Sequence, residues 1–355
     1  MYINFDAGPA ALPAPVLQKA SQAILEYEGS GLSVLEIPHR GKLFESILAE
    51  ANALVKELLS LGDDYDVVWM QGGGRLQFSM VPMNYLGAGE VAGYVESGHW
   101  ASQAMQAAEL YGKVSILGSS KTDNYTHIPA WSHIPNYLQY VHLTSNNTIY
   151  GTQFHAFPET EIPLVVDMSS ELFSRKIDYS KFSLIYAVAQ KNIGPAGVTL
   201  VVIRKSMLQG QKRELPEILS YADMARHNSV LNTPPVFPIY CSLLMLQWVK
   251  EQGGLEAMDK SSREKSALLY HAIDNSKLFH GVANKEDRSM MNVCFRADDE
   301  KHTARFVEFA RQHNIAGIKG HRSVGGFRAS LYNAVSVADV RRLIAVVEAY
   351  ERENV

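Results

Sequence analysis

The chain has 355 residues, of which 46% are apolar and 20% charged, and its formal net charge is -4 at pH 7. A chain of this length and composition can bury a large core, and we expect two packed domains. The charges form no basic run, which argues against nucleic acid as a partner. No segment reads as a signal peptide or a membrane span, so we expect a soluble, cytoplasmic protein with no membrane partner.

The first two thirds of the chain alternate between strands and helices. Residues 1–15 are rich in turns, and helices are predicted at 16–28 and about 43–59. Strands are predicted at 66–70, 90–96, 114–117, 137–143, 163–167, 184–189 and 198–203. This alternation predicts an α/β fold with a large, mainly parallel sheet and helices on both faces. In such sheets ligands bind beyond the carboxyl ends of the strands.

The pattern changes after the turn Asn232-Thr233-Pro234-Pro235. Helices are predicted at 239–252, 255–273, 303–313 and 337–350, and strands at 288–295, 317–319 and 327–331. We interpret residues 16–259 as a large domain, and residues 1–15 with 260–355 as a smaller α+β domain.

The stretch Ser183–Gly197, SLIYAVAQKNIGPAG, carries the residue on which the functional prediction depends. Its apolar run predicts a buried strand, and Lys191 follows that strand just before the rigid turn Gly194–Gly197. Burial disfavours the ammonium and favours the nucleophilic free amine, which is what a Schiff base with a carbonyl cofactor requires. Taken alone, the pattern is more typical of a lysine that extends from a strand end into water.

Other predicted strand ends also carry polar or aromatic groups. Asp167 ends an apolar strand, and a buried carboxylate needs a cationic or donor partner. Gln71–Arg75 is a glycine turn before a helix, whose N-terminus can bind an anion. Trp100 follows a third strand, where a flat ring can stack on a cofactor, and the turn Ser145–Thr148 offers hydroxyl and amide donors. The structural alternatives are a helix cap or salt bridge, a plain tight turn, core packing and a simple polar turn.

Basic residues in loops and glycine-rich segments form a second group. They are His39, Arg40, Arg75, His321, Arg322 and Arg328. Arginine binds carboxylate and phosphate through two parallel hydrogen bonds, so the group predicts a substrate with more than one anionic group. Each of these residues, considered singly, is typical of a solvated surface charge.

Together these motifs resemble the phosphoserine aminotransferases, a family of fold-type-I pyridoxal-phosphate enzymes. The resemblance covers nearly the whole chain and rests on Asn4-Phe5, Gly8-Pro9-Ala10, His39-Arg40, Gln71–Arg75, Gln77-Phe78, Ser145–Ile149, Asp167–Ser170, Ala189–Gly197, Asn232–Pro235 and Gly320–Ser330. The chain departs from the family pattern at Asp6-Ala7, where Ser-Ala or Ser-Ser is usual, and at Val188, where glycine is usual.

The resemblance implies a role for each candidate site residue. Lys191 would bind pyridoxal 5′-phosphate covalently, and Asp167 would pair with the protonated ring nitrogen. The other implied cofactor-binding residues are Gly74, Arg75, Trp100, Thr148 and Gln190, with Asn232 and Thr233 from the partner subunit of a homodimer. The implied substrate-binding residues are Arg75, His321, Arg322 and Arg328, with His39 and Arg40 from the partner subunit.

The resemblance also implies a reaction. A family member transfers the amino group of L-glutamate to 3-phosphohydroxypyruvate and gives O-phospho-L-serine and 2-oxoglutarate, a step of serine biosynthesis. Bacterial members often also act on the 4-phosphooxy threonine analogue of pyridoxine biosynthesis, and the sequence leaves open whether this chain does.

Two alternatives remain. Another fold-type-I enzyme, such as an alanine–glyoxylate type aminotransferase or a cysteine desulfurase, would share Lys191 and Asp167. The desulfurase needs a mobile catalytic cysteine, whereas Cys241 and Cys294 lie in apolar stretches and have no metal-ligand spacing, so we predict buried thiols and no metal site. A non-catalytic nucleotide-binding protein would explain the glycine turn, but it would leave Lys191, Asp167 and the basic residues without a function.

Overall fold

The computed structural model describes residues 2–131 and 133–355; Met1, the first residue of the predicted small domain, and Ser132 lie outside the described residues. The strands are β1 Ile3–Asn4, β2 Tyr65–Met70, β3 Val91–Glu96, β4 Lys113–Ser119, β5 Leu138–Thr144, β6 Asn146–Asn147, β7 Thr152–Gln153, β8 Leu164–Asp167, β9 Leu184–Val188, β10 Thr199–Arg204, β11 Phe279–Gly281, β12 Asn292–Ala297, β13 Ile315–Ala316 and β14 Phe327–Ser330. The α-helices are α1 Ala14–Leu25, α2 Lys42–Leu59, α3 Gly73–Tyr85, α4 His99–Ala108, α5 Lys205–Leu208, α6 Tyr221–Arg226, α7 Val236–Glu251, α8 Gly254–Asp274, α9 Lys301–Gln312 and α10 Val337–Asn354.

Seven strands form the large sheet, in the order β2–β10–β9–β8–β5–β3–β4. β10 is antiparallel to both of its neighbours, and the other adjacent pairs are parallel. β10 therefore runs against the other six strands, and the prediction of a mainly parallel sheet is confirmed. The carboxyl ends of β2, β3, β5, β8 and β9 consequently meet at one edge of the sheet, where ligands bind in open α/β sheets.

Helices cover both faces of this sheet because its central strands bury side chains on both sides. β8 and β9 are buried along their whole length, which matches their continuous apolar sequences. Successive side chains of a strand point to opposite faces. Val165 and Tyr186 thus pack with α3 and α4, whereas Val166 and Ile185 pack with α1, α2 and α7.

The C-terminal part of the chain has its own sheets and its own core. β11, β12 and β14 form an antiparallel sheet, and β1 from the N-terminus pairs in parallel with β13. α8, α9 and α10 pack on these strands around a core rich in phenylalanine, with Phe295 and Phe306 fully buried. The N-terminal arm is therefore paired with the C-terminal part of the chain.

Two of the predicted strands differ clearly from the structure. The strand predicted at 317–319 is wrong: β13 ends at Ala316, and Gly317 turns the backbone with a φ of 77°, in the region that favours glycine. The strand predicted at 288–295 starts later, at Asn292, and Arg288 makes only an isolated bridge, to Thr152.

Two expectations about the whole protein stay predictions. One is the division into residues 16–259 and residues 1–15 with 260–355, whose boundary falls inside α8. The other is the cytoplasmic location. Among residues 2–131 and 133–355, no helix has the length and apolarity needed to cross a bilayer.

A buried lysine fixes the turn that follows β14. Lys265 is 0% exposed, and its ammonium donates three hydrogen bonds, of 2.8, 3.0 and 3.0 Å, to backbone carbonyls of residues 331–335. The Asn333 N–H of that turn donates to Asn192 Oδ1 at 3.0 Å. Since Asn192 directly follows Lys191, these contacts tie the C-terminal sheet to the predicted site lysine.

Candidate active site

A cavity of about 360 Å³ lies where the carboxyl ends of the large sheet face the C-terminal part of the chain. Nine of the predicted site residues line it: Gly74, Arg75, Trp100, Thr148, Asp167, Gln190, Lys191, His321 and Arg328. Residues that are far apart in the sequence are therefore brought together around one space.

The connection between β9 and β10 directs Lys191 into this cavity. The N–H groups of Ile193 and Gly194 donate to Ala189 O at 3.0 and 2.8 Å and close a turn around the lysine. Gly194 has no room for a side chain, because a Cβ atom would lie 2.8 Å from Ser242 Oγ of α7. The turn is thus held against α7, with Lys191 on the side that faces the cavity.

Burial makes the Lys191 amine easier to deprotonate than an ordinary lysine. It lowers the pKa of Lys191 from 10.5 to about 8, an effect that the Asp167 carboxylate opposes and the Arg328 guanidinium reinforces. At pH 8 about half of the amines are uncharged, compared with roughly 0.4% for an exposed lysine. The desolvation expected from the strand-end position is present.

Asp167, the last residue of β8, faces Lys191 across the cavity. Its side chain is almost fully buried, and its Oδ1 accepts the N–H of Ser169 at 2.9 Å. Burial raises the pKa of the Asp167 carboxyl, and the Lys191 ammonium and Ser169 hydrogen bonds oppose this shift. Parallel pairing of β8 with β9 brings the two residues to the same edge of the sheet. The cavity therefore contains a buried acid and a buried base whose charges stabilise each other.

Trp100 and Thr148 flank the point where the strand order reverses. The chain passes outwards from β3 to β4 and then returns to β5, on the other side of β3. Such a reversal opens a crevice beyond the strand ends. Trp100 Nε1 donates to Thr148 Oγ1 at 3.2 Å across this crevice, so the indole is fixed as one wall of the cavity.

The glycine turn before α3 forms another wall. Gly72 and Gly73 have φ values of 92° and 68°, and the N–H groups of the first turn of α3 have no acceptor within the helix. Gln71 links this turn to the segment before α7: it accepts from Asn232 Nδ2 at 3.1 Å and donates to Thr233 O at 3.3 Å. A helix N-terminus with Arg75 in its first turn is suited to an anion.

Arg75 and Arg328 give the remaining wall a positive charge, and His321 lies beside them. Arg328 Nη1 donates to Thr148 O at 2.9 Å, and Arg328 Nε is buried with no partner among the described residues. Burial and the nearby Arg328 lower the pKa of His321. The two guanidinium groups are suited to an anionic ligand that would supply the missing acceptors.

Five predicted site residues do not line the cavity of their own chain: His39, Arg40, Asn232, Thr233 and Arg322. Arg322 is exposed next to His321, and Asn232 borders a second cavity of about 230 Å³ behind Gln71. His39 and Arg40 precede α2; Arg40 is exposed, and His39 Nε2 is buried without a partner among the described residues.

Asn146, from the polar turn Ser145–Thr148, also lines the cavity, as do residues that the sequence analysis did not assign: Ala7, Gly8, Phe78, Thr144, Ser169, Ser170 and Val188. Gly8 packs on the site lysine, since a Cβ atom there would lie 3.3 Å from Lys191 Cγ. Thr144 ends β5 directly beside Asp167, a position that strand register could have indicated. Both departures from the family pattern reach the cavity: Val188 lines it, and so does Ala7 of the Asp6-Ala7 pair, whereas Asp6 lies outside it.

The chain is similar to known proteins over almost its whole length. The family model described as Aminotransferase class-V matches residues 2–343. A phosphoserine aminotransferase from Flavobacterium johnsoniae is 49% identical over 349 residues, which is 98% of each chain. The solved phosphoserine aminotransferase from Bacillus circulans subsp. alkalophilus has a TM-score of 0.98 and 42% identity and covers 100% of this chain and 99% of its own. A PLP-bound phosphoserine aminotransferase from Trichomonas vaginalis has a TM-score of 0.94 and 35% identity, covering 98% of this chain and 100% of its own.

The low pKa of Lys191 can be measured in the protein stripped of small molecules. We expect competitive acetylation with acetic anhydride, followed residue by residue by mass spectrometry, to give a midpoint near pH 8 for Lys191. Exposed Lys260 in α8 provides the control, because its amine is solvated. Asp167→Asn should move the Lys191 midpoint downwards, because it removes a charge that favours the ammonium. A Lys191 midpoint equal to that of Lys260 would contradict the burial argument.

Proposed function

The chain belongs to the class-V aminotransferases and, within them, to the phosphoserine aminotransferases, and we propose that it transfers the amino group of L-glutamate to 3-phosphohydroxypyruvate. The products are O-phospho-L-serine and 2-oxoglutarate, and the reaction is a step of L-serine biosynthesis. One observation supports this proposal above the others: the cavity that holds the buried Lys191–Asp167 pair is walled by Arg75, His321 and Arg328. A nucleophilic amine is thus combined with contacts for a substrate that has several anionic groups.

The cofactor is pyridoxal 5′-phosphate, which when bound supplies an electrophilic aldehyde and a ring that accepts the electron pair released at the substrate Cα. The residues present fit this group. Each of its parts has a counterpart in the cavity: an amine for the aldehyde, a carboxylate for the ring nitrogen, an indole wall and a helix N-terminus for the phosphate. Thr144 Oγ1 and Arg328 Nε, which line the same space, are buried without a partner among the described residues.

Lys191 has two proposed roles. It holds the cofactor covalently, because its uncharged amine is the group that adds to an aldehyde. With its amine free, Lys191 would take the proton from Cα of the amino donor, and in the second half of the reaction it would deliver a proton to Cα of the keto acid that receives the amino group. A pKa of about 8 suits both roles, since a base whose pKa is near the working pH can accept and release a proton readily.

Asp167 has the proposed role of keeping a proton on the ring nitrogen. Its carboxylate, desolvated at the end of β8, is stabilised by any cation within reach. Ser169 limits its movement through the 2.9 Å hydrogen bond from its N–H to Oδ1. Trp100, whose indole is fixed by its hydrogen bond to Thr148, would pack against the cofactor ring and exclude water from that face of the ring.

The basic residues select the substrate. Arg328 is suited to the α-carboxylate that both amino acids share, because its guanidinium lies in the same cavity as the Lys191 amine. His321 and exposed Arg322 follow each other in the loop before β14 and are suited to the phosphate or to the distal carboxylate of glutamate. Arg75, in the first turn of α3, is available to either anion.

A cysteine desulfurase is the weaker candidate. Both Cys241 and Cys294 are buried, and burial raises the pKa of each thiol to about 12. The thiolate is the nucleophilic form, so neither residue meets the requirement of that reaction.

The proposed reaction is tested by comparing keto acids with the purified holoenzyme. We expect kcat/KM for 3-phosphohydroxypyruvate, measured with L-glutamate as amino donor, to exceed kcat/KM for glyoxylate, measured with L-alanine as donor, by about 100-fold or more. The phosphorylated substrate makes more charged contacts, and each contributes about 1.5–3 kcal/mol. Lys191→Ala, which should keep the fold, serves as the inactive control. Equal or faster turnover of alanine and glyoxylate would contradict the proposal and favour the other aminotransferase type.

We also propose that two copies of the chain form a homodimer with shared active sites. His39, Arg40, Asn232 and Thr233 lie outside the cavity of their own chain, as expected of residues that act in a neighbour. The loop that carries His39 is apolar at its surface: Leu35, for example, is 60% exposed. Exposed apolar side chains around a basic pair suit an interface between copies, and a twofold axis would supply both sites equally.

Mixing two inactive variants tests the shared sites. Lys191→Ala lacks the site amine and Arg40→Ala lacks the residue proposed to act across the interface. In a mixed dimer one site then carries both defects and the other carries none, so random subunit exchange should restore roughly a quarter of the wild-type activity. The matched control is Lys191→Ala mixed with Asp167→Asn, two residues of one cavity, where mixing should restore nothing. No recovery in the first mixture, with exchange verified, would contradict shared sites.

A further inference from the structure

The His321 imidazole is held by Ser323, a residue of the same loop to which neither the family resemblance nor the proposed reaction gives a role. Nδ1 of His321 lies 2.7 Å from Ser323 Oγ and 3.3 Å from the backbone nitrogen of Ser323. His321 is half-buried and lines the active-site cavity, whereas Ser323 is exposed and does not line it. The two contacts therefore join a residue outside the cavity to one that faces a ligand.

These contacts determine which ring nitrogen of His321 carries a proton. A backbone N–H can only donate, so Nδ1 accepts the hydrogen bond from the Ser323 N–H and carries no proton. The Ser323 hydroxyl can donate or accept, and it consequently donates to the same nitrogen. The proton of the neutral imidazole is then on Nε2. His321 is thus a neutral ring whose acceptor is occupied by Ser323 and whose Nε2–H is available to a ligand.

The backbone of the loop keeps His321 and Ser323 in a fixed relation. The N–H groups of Val324 and Gly325 donate to His321 O at 3.0 and 2.9 Å. Gly320 N–H donates to Gly326 O at 2.9 Å and closes the base of the loop. The imidazole and its hydrogen-bond partner therefore lie on one closed turn.

The charges around His321 favour the same neutral state. Besides burial, the groups that lower the pKa of His321 are Arg328 of β14, His99 of α4 and Arg322 of its own loop, all of them basic. A neutral N–H can bind an anion next to the Arg328 guanidinium without repelling it, whereas an imidazolium would add repulsion between two cations. The permanent charge of arginine and the neutral donor of histidine thus complement each other.

We propose that Ser323 is a positioning residue that keeps His321 neutral and directs its Nε2–H towards an anionic group of the substrate. This role rests on the proposed phosphoserine aminotransferase activity and adds a residue to its substrate binding. The arginines attract the anion through their charge, and the imidazole N–H fixes the position of one of its oxygens. Because the donor is neutral, His321 binds phosphate and carboxylate oxygens without taking up a proton.

Nitrogen-15 NMR of the histidine side chains in the holoenzyme tests the protonation state directly. The His321 signals are assigned by their loss in His321→Gln. At about pH 7.5 we expect an unprotonated Nδ1 and a protonated Nε2, both without ligand and with bound 3-phosphoglycerate. This probe has a carboxylate and a phosphate but no keto or amino group, so it binds without reacting. His313 is the internal reference, because its Nδ1 lies 2.8 Å from Phe309 O and must carry a proton to donate to that carbonyl.

Two variants of Ser323 test the positioning role. Ser323→Ala removes the shorter of the two contacts, so we expect the pKa of His321 to rise and its signals to show exchange between the two tautomers. The Kd of 3-phosphoglycerate, measured by calorimetry, should rise by about threefold to tenfold, since a hydrogen bond to a charged group is weakened. Ser323→Thr keeps the hydroxyl and should restore both the wild-type signals and the wild-type Kd.

Two results would overturn the role of Ser323. A protonated Nδ1 in the wild type, free or with 3-phosphoglycerate bound, would make His321 a cation that binds through its charge. Unchanged His321 signals and an unchanged Kd in Ser323→Ala would mean that the loop backbone alone holds the imidazole. Neither result bears on the proposed reaction, which fails only if the holoenzyme does not transfer the amino group of O-phospho-L-serine to 2-oxoglutarate.

Discussion

The Lys191 amine and the Asp167 carboxylate lie at the ends of two neighbouring parallel strands, where burial and mutual attraction act on them in opposite directions. Burial lowers the pKa of Lys191 and raises that of Asp167, and each charge partly restores the other. The pair therefore suits a ligand that carries complementary groups. Lys265 shows that burial alone is insufficient: its pKa is also lowered, to about 7, but its ammonium is fully used by three backbone carbonyls.

Much of the surrounding structure serves to keep this pair in place. Pairing of β8 with β9 places Asp167 and Lys191 near each other along the sheet edge. Contact of Gly194 with α7 sets the direction of the turn that carries Lys191. From the other side, Gly8 packs on the Lys191 stem and Asn333 bonds to Asn192. The N-terminal arm and the C-terminal sheet thus close the cavity that the large sheet leaves open. A change in either would therefore alter the position of the Lys191 amine.

The sequence could predict features that depend on local patterns. Buried strands such as Leu184–Val188 appear as apolar runs of the right length, and the order of strands and helices predicts a mainly parallel sheet. Lys191 and Asp167 were found because a charged residue at the end of such a run is conspicuous. The role assigned to Gln190, however, came from the family resemblance, which also decided between the open alternatives for Trp100 and Thr148.

Features that depend on tertiary contact could not be read from local patterns. Gly8 and Thr144 line the cavity only because the chain ends and strand register bring them there. The strand predicted at 317–319 failed because the backbone of Gly317 turns to let Asp6 approach, which no pattern around residue 317 reveals. The edge contact of His99 with the Trp100 ring, with centroids 5.0 Å apart, likewise exists only in the folded chain.

The most direct measurement of the central claim is borohydride reduction of the holoenzyme followed by peptide mapping. Reduction fixes the cofactor to the lysine that holds it, and mass spectrometry identifies that residue. The account predicts the label on the peptide that contains Lys191 and none on the peptide that contains Lys265, although burial lowers the pKa of both amines. A label on Lys265 or on any other lysine, or an undiminished label in Lys191→Ala, would contradict it.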